Sequence, residues 1–309
     1  MSLKIIYISN CSNRKSIKAK KAIKCADQKM ASLETFAKNW CKKIAEQDGD
    51  LKIDDLYTGR SAKIAKDLDA YPNITRWYIS AGLGLKKSGS KVPNYDLTVT
   101  PNTENSFNKK IIGPASTSDW WLALNSSKGN KKPLRTLINR NKDKLIVLAI
   151  SSSYLEMVSE ELLEVVNAEH LRIIGPTETA IPDELKHLWM PYTTNFDGPD
   201  SPNPGTVSDY AQRVGSHFCL EIASSRSITK PRLDAKKVGS FCANLKPIVN
   251  VSRTQATDQQ IIKLIRKNWN AAEGRSARML RILRDNELVS CEQGRFKNLF
   301  NEYKETRND

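Results

Sequence analysis

The stretch Lys144-Leu-Ile-Val-Leu-Ala-Ile-Ser151 decides the fold, because it runs without a break into the amphipathic pattern that starts at Ser153 and continues to about Asn167. An unbroken apolar run of this length reads as a strand covered on both faces, and strand, short polar turn, helix is the grammar of an α/β protein. Working outward, Leu3 to Ser9 (LKIIYIS) and Ile74 to Ser80 (ITRWYIS) carry the same signature and also end in serine. Leu171 to Ile174 and Leu185 to Tyr192 supply two further short strands, while Asp27 to Gln47 and Gly205 to Ser224 have helical spacing. The expectation is a mostly parallel sheet with flanking helices. In such sheets ligands gather beyond the carboxyl ends of the strands, which selects Asn10 and Cys11, Ala81 and Gly82, Ser152 and Ser153, and Thr193 to Asp197.

The 309 residues suit an α/β body plus a smaller appendage. Residues 1–227 form the expected body, 228–251 a connector with Pro231, Pro247 and weak periodicity, and 252–309 a helical module. In that module Thr257 to Gln260 fits a capping box, Gly274 breaks the first helix, Ser276 to Asp285 forms a second, and Ser290 to Gln293 opens a third. Three short helices in this order resemble a helix-turn-helix unit. Arg275, Arg278, Arg281 and Arg284 recur every three residues, with Arg295 and Lys297 on the third helix where a recognition helix would meet a groove.

Lys and Arg number 49 against 34 Asp and Glu, a formal charge of +15, so the partner to expect is a polyanion. Arg14 to Lys24 holds six basic residues and no acid, a solvated face or a phosphate contact. No window approaches the run of about 18 apolar residues that a membrane span needs, and MSLKIIYIS lacks a separate apolar leader, so a cytoplasmic protein is expected. Six scattered cysteines without a C-x-x-C pair, and three histidines far from them, support neither a disulfide framework nor a zinc site. Neither a metal nor an organic cofactor is expected.

Four polar motifs follow strand ends: Ser9-Asn-Cys-Ser-Asn-Arg-Lys15, Asp55-Leu-Tyr-Thr-Gly-Arg60, Ser80-Ala-Gly-Leu-Gly-Leu85 and Pro93-Asn-Tyr-Asp-Leu-Thr98. Over roughly the first hundred residues this order resembles a family of bacterial proteins related to the peroxide-stress protein YaaA, associated with nucleobase and DNA metabolism. The sequence departs from that pattern in its first loop and at Leu83, where relatives tend to carry a bulky aromatic. The resemblance implies an α/β body with a positively charged cleft for a nucleobase or DNA. It also points to base-handling enzymes that include a DNA glycosylase excising glucosylated hydroxymethylcytosine from phage genomes.

Cleavage of an N-glycosidic bond passes through an oxocarbenium-like state that a carboxylate stabilises, or against which it activates water, while amides and hydroxyls hold the departing base. Asp96 and Asp55 are the nominated carboxylates, with Asp119 beside Trp120 and Trp121 as a third; a turn carboxylate holding Thr58 or Arg60 is the alternative for Asp55. Asn10, Asn13, Asn94 and Asn195 would read a base edge or simply form turns. Tyr57, Tyr95 and one of the two tryptophans, Trp120 foremost, would stack on an everted base or its sugar. Ser80, Ser152 and Cys11 line the same ends, Cys11 being equally consistent with a small buried core residue. Lys15, Arg60, Lys86 and Lys87, with Arg275, Arg278, Arg281, Arg295 and Lys297, are the expected phosphate contacts. The expected activity is excision of a modified base from phage or other foreign double-stranded DNA. A non-catalytic DNA-binding defence protein and a transglycosylase of modified-base synthesis are the alternatives.

Overall fold

The computed structural model describes residues 2–12, 14–16, 21–47, 49, 51–223, 226–247 and 252–308. Asn13, and Lys18 and Lys20 of the basic run, lie outside them. The chain divides into two units, Met1–Pro247 and Ile248–Asp309.

The body is built on a five-stranded sheet: β1 (Ile5–Asn10), β2 (Ile74–Ser80), β3 (Gly84–Lys87), β4 (Leu145–Ala149) and β5 (Leu171–Ile174), in the order β3-β2-β1-β4-β5. β2, β1, β4 and β5 run parallel, and β3 folds back antiparallel on the β2 edge. Ile8 aligns with both Trp77 and Leu148, so β1 is central. From β1 the chain goes first to one side and later to the other, which makes the carboxyl end of β1 a topological switch point.

Because successive side chains of a strand point to opposite faces, each central strand feeds two cores. Ile6, Ile8, Ile146 and Leu148 join a first core with helices α1 (Leu33–Ala45), α3 (Thr117–Ser126) and α5 (Ser152–Leu163). Ile5, Tyr7, Leu145 and Val147 join a second core with helices α6 (Tyr210–His217) and α7 (Pro231–Ala243). Between these in the chain lie α2 (Arg60–Asp67) and α4 (Pro133–Arg140). Gly175, at φ +105°, lets α6 come close: a Cβ there would stand 2.6 Å from both the Ala211 Cβ and the Ile150 carbonyl.

Three sequence expectations need correction. Residues 228–247 are no connector: Pro231 starts α7 as a first-turn proline does, and Pro231, Asp234, Val238 and Cys242 form a buried stripe at helical spacing. One stripe position is a carboxylate, which hid the periodicity. Asp234 is buried because Arg172 on β5 donates to it from Nε at 2.8 Å, both side chains being shielded from solvent. Leu185 to Tyr192 is not a strand but a 3-10 turn over Asp183–Leu188 and a single bridge from Trp189 to Ile173; Leu185 and Leu188, three apart, share its buried side. Gly205 to Ser224 is not one helix either: a capped turn at Val207–Asp209 leads into α6, which widens to a π-turn over Phe218–Ile222.

The second unit has its own core, with α8 (Asp258–Lys267), α9 (Ser276–Asp285) and α10 (Gln293–Asn308) packing Ile261, Ile265, Met279, Leu283, Phe296 and Phe300 together. The capping box at Thr257 and Gln260 is present. At the third helix the cap is Glu292, whose carboxylate accepts from the backbone N–H groups of Gly294 and Arg295 at 2.7 Å each, while Ser290 pairs in a two-residue strand with Gln255.

Candidate functional site

At the carboxyl end of the sheet the four motifs meet. Cys11, Tyr57, Ser80 and Tyr95 come from four separate segments, and all are buried in or beside the first core. The hydroxyls of Tyr57, Ser80 and Tyr95 form a closed triangle: Tyr57 donates to Ser80 Oγ at 3.1 Å, and Tyr95 lies 2.8 Å from each. Tyr95 reaches Cys11 Sγ at 3.6 Å, and Cys11 Sγ lies 2.8 Å from the hydroxyl of Tyr154 on α5. Lys15 Nζ sits 4.6 Å from the centre of the Tyr95 ring, a cation over an aromatic face. Asn10, next to Cys11, donates to the Cys11 carbonyl and accepts from Gln212, whose amide oxygen in turn accepts from Ser61 at 2.8 Å.

The chain folds this way locally because two indoles hold the turn after β2. Trp120 donates to the Ala81 carbonyl and Trp40 to the Gly82 carbonyl, each at 2.8 Å. Position 82 must be glycine, since a Cβ would lie 2.5 Å from the Tyr95 ring. Ser80 Oγ then accepts from the Leu83 backbone N–H at 3.0 Å, which fixes its rotamer. Lys15 and Tyr57 pair in an antiparallel bridge, so the first and second loops are stitched together by backbone.

Burial, reinforced by the neighbouring Cys11, pushes the phenols of Tyr57, Tyr95 and Tyr154 well above their usual range, so all three stay protonated. These three phenols, the Ser80 hydroxyl and the Cys11 thiol group make five mutual contacts. The two slightly open members of the cluster are Cys11 and Tyr154, 8% exposed each.

The nominated carboxylates stand elsewhere. Asp96 follows Tyr95 in a short strand, so its side chain leaves by the opposite face and accepts from the Asn105 amide at 2.8 Å. Asp119 is the third residue of a capping box with Ser116, and its carboxyl is held low by the Ser116 backbone N–H and hydroxyl. Asp55 pairs with Lys66 at 2.7 Å, and both face an open groove of about 530 Å³ that also contains Ser16, Tyr57, Thr58 and Lys63. Asp55 is therefore the nominated acid that shares a groove with a cluster residue.

The two tryptophans are both core, at 0% and 1% exposure, because Trp120 spends its indole on the Ala81 carbonyl and Trp121 on Glu161; neither walls a cleft. Asn94 precedes Tyr95 and takes the Ile23 N–H on its carbonyl. Asn195 lies in the turn Thr194–Asp197, beside the second core, with no tie to the cluster among the described residues. Ser152 accepts from the Thr177 N–H at 3.3 Å in the first turn of α5. Arg60 is a clasp rather than a free cation: it donates to Asn203 Oδ1 and the Pro204 carbonyl and lies 3.6 Å from Asp209. Lys86 and Lys87 sit on edge strand β3.

In the second unit Arg295 is bound by Asp258 and the Ala256 carbonyl, and Arg275 and Arg278 share Glu273. Arg281 and Lys297 are exposed, and neither has an ion-pair partner among the described residues. Tyr154 and Gln212 escaped sequence reading; Tyr154 had a signal, lying in the first turn of the helix after the deciding strand.

No family model, no curated protein and no solved structure matches this chain. Among the described residues no cluster of His, Cys, Asp and Glu could hold a metal ion, and no helix is long and apolar enough to cross a membrane.

Proposed function

We propose that the protein binds DNA and excises a modified base from it by cleaving the N-glycosidic bond, as expected of a YaaA-related, base-handling protein. The observation that carries this reading is the convergence of Cys11, Lys15, Tyr57, Ser80 and Tyr95, drawn from the four motifs, at the carboxyl ends of β1 and β2. An everted base would meet the cluster at Cys11 and Tyr154, its two slightly open members, which offer sulfur and hydroxyl to a polar base edge. Asp55, in the groove beside Tyr57, is the carboxylate placed to meet positive charge on the sugar, and Lys63 and Lys66 line the same groove for phosphate. Asp96 has no part in this arrangement. The net charge of +15 and the exposed Arg281 and Lys297 supply sequence-independent affinity.

A second reading, a DNA-binding protein without catalysis, is favoured by the engagement of Asp55 with Lys66. Incubation with plain and hypermodified phage DNA, followed by mass spectrometry of released bases and cleavage at abasic sites, separates the two. Release of one modified base, lost in Asp55→Asn, is the expected result. Tight, salt-dependent binding with no base released from any DNA would leave the binding reading standing alone.

A further inference from the structure

Another pocket of the body, of about 460 Å³, lies on the sheet face opposite the hydroxyl cluster. This is within the size range of small-molecule sites. Its wall is aromatic: the His217 imidazole is packed edge-to-face against Tyr192 and Phe196, and lies 4.2 Å from the Phe241 ring centre. Tyr192 OH, 2.7 Å from Nδ1, fixes the ring orientation. His217 is only 9% exposed, lines the cavity, and its Nε2 has no hydrogen-bond partner among the described residues. The contrast with the other two histidines is direct, since His170 Nε2 meets the Ile138 carbonyl at 3.1 Å and His187 Nε2 the Val166 carbonyl at 2.8 Å.

The π-turn Phe218–Ile222, closed by the Ala223 N–H to Phe218 carbonyl bond of 2.9 Å, brings Leu220 and Glu221 to the cavity lining. Such one-turn widenings recur at functional sites. Of the charged groups, Arg213 is neutralised by Asp197 and Asp209, whereas Glu221 has no ion-pair partner among the described residues. The lining therefore offers aromatic surface, the His217 imidazole nitrogen and the Glu221 carboxylate, which only accepts hydrogen bonds, with Ser216 and Asn203 as further polar residues. The unpaired Glu221 carboxylate disfavours an anion, and an aliphatic ligand would leave His217 Nε2 unmet.

We infer that this cavity binds an uncharged, amino-bearing nitrogen heterocycle of nucleobase size, its ring nitrogen against His217 Nε2 and its amino group toward Glu221. The site is independent of the glycosidic reading and holds whether or not a base is ever excised. Arg60 links it to the second motif, since the same guanidinium that leaves the Asp55 to Arg60 loop grips Asn203, a lining residue, and the adjacent Pro204 carbonyl.

The test is titration of the full chain with free adenine, free cytosine and benzoate while the imidazole resonances of the three histidines are followed by NMR. A saturable shift confined to His217 with adenine or cytosine, absent with benzoate, is expected. His217→Phe, which removes that reporter and is followed by calorimetry alongside the native protein, should weaken binding of the base about tenfold, the value of one hydrogen bond to a buried group. Leu220→Trp, which fills the cavity while leaving the imidazole as reporter, should abolish the shift. No saturable shift with either base, an equal shift with benzoate, or a shift that survives Leu220→Trp would overturn the assignment.

Discussion

Tyr57 and Tyr95, 38 residues apart, place their phenol oxygens 2.8 Å from each other and share the Ser80 hydroxyl as a third partner. Tyr95→Phe removes one proton and three contacts from the cluster but leaves Tyr57 and Ser80 with one another. The expected cost is about 1–2 kcal/mol, read as a lower urea midpoint at unchanged slope. A loss above about 4 kcal/mol would mean that the ring itself had moved, and with it the packing on Gly82.

Arg172 and Asp234 form an ion pair shielded from solvent at both ends. Asp234→Ala strands the guanidinium and should cost about 3–5 kcal/mol in urea unfolding, whereas the double change Arg172→Met with Asp234→Ala should recover much of that loss. Equal stability of the two variants would show that the charge finds water or another partner.

On the DNA-binding reading, Arg281 and Arg295 should behave differently although both are arginines on helices of the second unit. Arg281→Ala removes an unpaired exposed cation and should lower the slope of log affinity against log salt by about one. Arg295→Ala removes a group already neutralised by Asp258 and should leave that slope unchanged while loosening the start of α10. The measurement is duplex binding across a salt series; matching slopes would contradict the assignment.

Burial holds His217 below its usual pKa of 6.5, against the weaker opposing pull of Glu221; Tyr192 is the other titratable group in contact with the ring. The folded state thus resists a proton that the unfolded chain accepts. The contribution to stability is complete above pH 6.5 and is lost progressively as pH falls from there through the folded value. Urea midpoints from pH 8 to 5 should therefore fall more steeply for the native protein than for His217→Phe.

The sequence carried the sheet well because β1, β2 and β4 are apolar, β-branched and ended by polar turns, which is what burial on two faces demands. The rule that α/β sheets present their loops at one end selected Cys11, but the convergence of Cys11, Tyr57, Ser80 and Tyr95 was not legible, because Tyr57 and Tyr95 reach the site from outside the five-stranded sheet. The failures have particular causes. α7 was invisible because its core stripe includes Asp234, whose partner lies 62 residues away in β5. Asp96 looked catalytic because of its neighbours, yet a one-residue step along a strand reverses the face, and only the pairing of Tyr95 tells which face is which. Trp120 and Trp121 were expected to diverge in burial, but the helix carrying them is covered on both sides, by α1 and by α5.

The indole bonds of Trp40 and Trp120 have a consequence for how this chain can drift. Exchange of either for phenylalanine would preserve most of the core volume while releasing a peptide plane next to Ser80. Change at positions 40 and 120, some 40 residues either side of the turn, would thus shift the geometry of the hydroxyl cluster with Cys11, Tyr57, Ser80 and Tyr95 themselves unchanged. The geometry of the cluster is adjustable from the interior of the fold, by residues that are not part of it.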